Sequence, residues 1–71
     1  MRYAIVIEKS GDGYSGYVPD LPGCVATAPS SGAAEQALRE AIAFHLAGLK
    51  EDGESPPAPS CTVNYVELPA S

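Results

Sequence analysis

The chain has 71 residues, with four Lys and Arg against nine Asp and Glu and a formal net charge of -5. That length makes one domain, residues 1-71, and lets it bury only about 60% of the surface its unfolded form exposes, so oligomerisation or a partner would help it. The acidic balance opposes a sequence-independent grip on nucleic acid and favours encounter with a basic protein, and the N-terminal apolar run Tyr3 to Ile7 falls far short of the ~20 residues of a membrane span.

Arg2 to Glu8 is dense in β-branched and aromatic residues and closes on Ser10-Gly11-Asp12-Gly13, which predicts a strand followed by a hairpin loop. Tyr14 to Val18 alternates large and small side chains as an antiparallel second strand would, until Pro19 removes a ladder donor. Pro19-Asp20-Leu21-Pro22-Gly23 then turns the chain again, and a third strand follows over Cys24 to Ala28. Pro29-Ser30-Ser31 supplies a helix start, with Ser30 as the expected N-cap.

Ala34, Ala37, Leu38, Ala41, Ile42, His45 and Leu49 recur at three- and four-residue steps, which predicts one amphipathic helix of about five turns. The inner alanines bring its axis close to a sheet, and Gly53 is the expected terminator. Glu54 to Ser60 holds three prolines and reads as a semi-rigid connector. Cys61 to Leu68 is expected to be the last strand, ended by Pro69. A right-handed crossover through the helix would return it parallel to the first strand. The expected fold class is therefore α+β with β-β-β-α-β connectivity, sheet order 3-2-1-4, and one long helix on one face. The other face and the edges are left for solvent, a second copy or a partner.

The segment Gly16-Tyr17-Val18-Pro19-Asp20-Leu21-Pro22-Gly23-Cys24, the helix with Arg39 to Leu49, and the proline-rich exit closely resemble the HicB-like antitoxin family over essentially the whole chain. The resemblance implies a partial ribonuclease-H-like fold and a role in binding and masking a small basic RNA-cleaving toxin of the HicA type. Complete antitoxins of this family usually add a C-terminal ribbon-helix-helix or helix-turn-helix domain that binds operator DNA. The sequence ends at Ser71 with no such segment, so direct binding of nucleic acid is not expected of it.

Catalysis is not expected either. Ribonuclease-H-like nucleases gather several carboxylates around two divalent metals, and Glu8, Glu40 and Glu67 are the only loose counterparts, better read as solvated surface acids. His45 has no Ser, Cys or Asp at a nucleophile's spacing and reads as a packing residue. Cys24 and Cys61 lack CxxC spacing and, with one His, do not complete a zinc site, so no metal or cofactor is expected and the thiols read as reduced. With no cleavage pattern after the first apolar run, the expected location is cytoplasmic.

Partner contact is assigned to Tyr17, Pro19, Asp20, Leu21, Pro22 and Gly23, because two prolines reduce the entropy lost when a protruding loop docks. Tyr3, Tyr14 and Tyr65 offer further contact area, divided between core and surface in a way that sequence leaves open. The leading expectation is an antitoxin-like module that masks a HicA-type toxin and self-associates as a homodimer or higher homo-oligomer. The alternatives are a stand-alone homo-oligomeric scaffold and, as a third reading, a degenerate nuclease.

Overall fold

The computed structural model describes residues 1–70. Its elements are β1 (Val6–Ser10), β2 (Gly13–Tyr17), β3 (Val25–Ala28) and α1 (Ser31–Glu51). The strands form an antiparallel meander in the order β1-β2-β3. A two-residue loop, Gly11-Asp12, joins the Ser10–Gly13 pair, and Ile7 faces Gly16, which in turn faces Ala26.

The first strand begins four residues later than the sequence pattern suggests, and the register supplies the reason. Val6 pairs with Tyr17, so earlier residues would need partners at Val18 and beyond. The Val18 N–H already bonds the Cys24 carbonyl at 3.1 Å, and the next main-chain donor position belongs to Pro19, which has none. Arg2 to Ile5 therefore precedes the ladder as a lead-in, with Tyr3 and Ile5 packed against the core.

Ser30 caps α1 as expected, its extended backbone letting Oγ accept from the Ala33 N–H at 3.1 Å. At the other end Gly53 adopts φ 74°, its N–H bonds the Lys50 carbonyl, and the Glu54 N–H reaches back to Leu49. Those two bonds form a Schellman closure, and the positive φ explains why glycine occupies the position. Lys50 in the last turn complements the helix dipole.

Leu38 of α1 packs with Val18, Leu21 and Cys24, and these four together with Ala34 are the buried hydrophobic residues. The helix, about 31 Å long at 1.5 Å per residue, packs most heavily on β3 and least on β1. Its C-terminal half carries no fully buried residue: Ile42 packs partly buried against the core, His45, Leu46 and Leu49 are half-buried, and Phe44 is exposed.

The expected fourth strand is absent among the described residues, so the sheet order is β1-β2-β3 rather than 3-2-1-4. Cys61 to Leu68 is exposed and joins no ladder, because what holds its root are side chains rather than a strand edge. The consequence is an elongated molecule, with a radius of gyration of 14.3 Å against about 11 Å for a compact chain of this length.

Candidate functional site: an open sheet face and a pinned loop

Strand alternation decides which side chains are available for contact. Gly16 lies against Leu38, so Ile7, Gly16 and Ala26 form a row under the helix. The next row, Val6–Tyr17–Val25, points the other way, as does Glu8–Ser15–Thr27 beyond it. Tyr17 is 44% and Val25 67% exposed, while Val6 is half-buried. Tyr17 was assigned to the site from sequence; Val6 and Val25 were not, because their membership follows from register rather than from any motif.

Pro19 to Gly23 is built from two stacked turns. The Leu21 N–H bonds the Val18 carbonyl at 3.0 Å and the Cys24 N–H bonds the Leu21 carbonyl at 3.1 Å. Pro22 and Gly23 are the central residues of the second turn, where a φ of 90° at Gly23 matches the type II requirement for glycine. The six assigned residues separate into three environments. Tyr17, Pro22 and Gly23 are exposed at one end of the β2–β3 hairpin, and Pro19 and Asp20 are half-buried. Leu21 is wholly buried, so its side chain anchors the loop in the core and has no surface to offer a partner.

Asp20 binds the chain's own C-terminal segment. Its Oδ2 accepts from the Ser60 and Cys61 main-chain N–H groups at 3.0 and 3.2 Å, and its Oδ1 accepts from Ser60 Oγ at 2.7 Å and Cys61 Sγ at 3.4 Å. Tyr3 Oη adds a 2.6 Å bond to the Pro57 carbonyl. The Ser60 hydroxyl and amide, followed by the Cys61 donors, hold the Asp20 carboxyl down to about 2 from its ordinary 3.8. In return, the bond to Asp20 pushes the Cys61 thiol up, as burial does for Cys24.

A folded value below the unfolded one favours the pinned segment above about pH 4, an advantage that fades as pH falls toward 2. Asp20→Asn removes the charge from all four bonds while leaving Leu21 in place. Amide exchange at Ser60 and Cys61 should then rise by on the order of tenfold, and Cys61 should alkylate faster at pH 8. Unchanged exchange at both amides would refute the tether.

The acids named in the nuclease reading do not converge. Glu8 belongs to the open-face rows, Glu40 accepts from Gln36 Nε2 on the exposed side of α1, and Glu67 lies in the exposed segment. Among the described residues no three Cys, His, Asp or Glu side chains are placed to share a metal ion. No helix among them is long and apolar enough to cross a membrane.

A meander carrying one crossing helix, with the opposite sheet face bare, defines a small α+β domain that presents a β-surface. The chain belongs to the HicB-like antitoxin family of bacterial toxin-antitoxin systems, whose family model matches residues 3–70. It is 41% identical over 69 residues to an uncharacterised 14.9 kDa protein of Haemophilus phage HP1, covering 97% of this chain and 52% of that protein. The chain therefore spans about half the length of that phage relative. A UPF0150 protein of Archaeoglobus fulgidus is 47% identical over 57 residues, or 76% of this chain and 83% of its own length. Among solved structures, a chain of a HicA3 and HicB3 toxin-antitoxin complex superposes with a TM-score of 0.68 at 32% identity, covering 84% of this chain and 70% of that one.

Proposed function

We propose that this domain is the toxin-binding part of an antitoxin, masking a small basic HicA-type toxin by protein–protein contact and without chemistry of its own. The observation that carries the reading is the bare Val6–Tyr17–Val25 row on a domain of this family. An aromatic flanked by branched aliphatics, on a surface whose other face is closed by a helix, has the composition of an interface centre. The net charge of -5 favours a basic partner, and the HicA3–HicB3 complex provides the precedent for such a pairing. Pro22 and Gly23, exposed at the same end, extend the surface with a pre-ordered turn.

The reading frame beside this one is expected to encode a short basic protein, and co-expression with it should yield a complex and relieve growth arrest. Tyr17→Asp together with Val25→Asp should weaken that complex by on the order of a hundredfold, since burying an unpaired carboxylate at an interface centre is costly. Because Tyr17 and Val25 stand directly opposite across β2 and β3, the two Asp residues also repel within the sheet, so Tyr17→Thr with Val25→Thr is the fold-preserving companion, expected to weaken the complex while keeping the isolated chain's melting curve within a few degrees. Full affinity in the double variant would move the docking surface elsewhere; no complex at all would end the antitoxin reading. Self-association as a homodimer belongs to the same proposal, because a domain this small leaves much of its apolar surface uncovered.

A further inference from the structure

The C-terminal segment is held at its root and released beyond it. Tyr3 and Asp20 fix Pro57, Ser60 and Cys61, whereas Val63, Tyr65, Val66 and Leu68 are 51%, 94%, 83% and 78% exposed. Those residues carry the branched and aromatic pattern of a strand, and the prolines at 56, 57 and 59 stiffen the approach to it. Its own lead-in does not receive it: Cys61 to Val63 face Arg2 to Ala4 across a cavity of about 360 Å³ rather than through a ladder. On the helix side of the same lead-in lies a groove of about 460 Å³, lined by Arg2, Tyr3, Ile5, Arg39 and Ile42 among others.

We propose that Cys61–Leu68 is an exchanged arm that adds as a strand along Arg2–Ile5 of a second copy of this chain, setting alternate side chains into that groove. This deepens the self-association part of the function proposed above and is independent of toxin binding. Each copy carries one unpaired strand and one unpaired edge, so reciprocal exchange about a two-fold axis satisfies both and closes the assembly. A toxin bound to the arm would leave the Arg2–Ile5 edge bare. Charge agrees, since the arm's single charged residue is Glu67, and Arg2 at the edge makes no ion pair among the described residues. The added strand would also come to lie beside the half-buried Ile42, on the flank where α1 touches the sheet least.

The test is light scattering of the full chain over a concentration series, beside two variants, Tyr65→Asp/Val66→Asp and Asn64→Pro. These positions lie outside every helix and strand, so the variants keep the fold of the single chain. The wild type should be dimeric and both variants monomeric, with the dimer dissociation constant raised by about a hundredfold or more. Amides of residues 62–67 should gain exchange protection only as concentration rises. Variants that remain dimeric would overturn the arm while leaving self-association standing, and a monomeric wild type would overturn both. Protection independent of concentration would place the arm on its own subunit and equally overturn the exchange.

Discussion

Leu38→Ala is expected to lower the melting temperature of the isolated chain by more than about 10 °C, measured by circular dichroism at fixed protein concentration. Leu38 is fully buried at the centre of the cluster formed by Val18, Leu21 and Cys24, and it is also the side chain that fills the space over Gly16. Truncating a leucine so placed removes its transfer free energy and leaves a cavity, at a cost of about 2–5 kcal/mol. A domain of this length has a total stability of only about 4–10 kcal/mol, so one substitution removes a large fraction of it. Phe44→Ala, on the same helix but 83% exposed, is the control and should shift melting by no more than a few degrees. A Leu38→Ala shift as small as that of Phe44→Ala would mean that this cluster does not hold the fold.

The same core shows why the sequence was legible in some places and opaque in others. Ser30 and Gly53 could be assigned to the two helix ends because capping is local chemistry, a hydroxyl for an unpaired N–H and a glycine for a positive φ. The existence and order of the three strands were readable too, since Gly and Pro punctuate them within a few residues, but the start of β1 was not, because register sets it at Val6 rather than Arg2. Leu21 was not. A loop has no periodicity to assign its side chains to a face, and only the two stacked turns around Leu21 direct it into the core.

The fourth strand failed for a related reason. Cys61 to Leu68 has the composition of a strand, but composition does not specify which edge receives it, and pairing is a property of two segments. Asp20 was expected to face a partner, yet its carboxylate pairs with donors forty residues away, a contact no local spacing encodes. The open-face row was hidden likewise, because the alternation of β2 and β3 identifies faces only once Gly16 is known to lie under the helix.

Gly16→Val is expected to destabilise the chain by about 3 kcal/mol or more, and a coupling measurement separates its causes. A Cβ at position 16 would stand 2.8 Å from Leu38 Cδ1, 2.9 Å from the Val6 carbonyl oxygen and 3.3 Å from Ile7 Cγ1. Leu38 can turn away at some cost in packing, but the Val6 oxygen belongs to the neighbouring strand and moves only if the β1–β2 pairing shifts. Gly16→Ala therefore serves as the smaller probe, expected to cost about 1–3 kcal/mol despite the entropy that replacing a glycine removes from the unfolded chain. In a Leu38→Ala background the Leu38 part of the clash disappears and the Val6 part stays. The cycle of Gly16→Ala with Leu38→Ala should show a favourable coupling of about 0.5–2 kcal/mol, with part of the Gly16→Ala cost surviving. Strict additivity would place Leu38 away from Gly16 and return the helix-side row of the sheet, and with it the identity of the open face, to question.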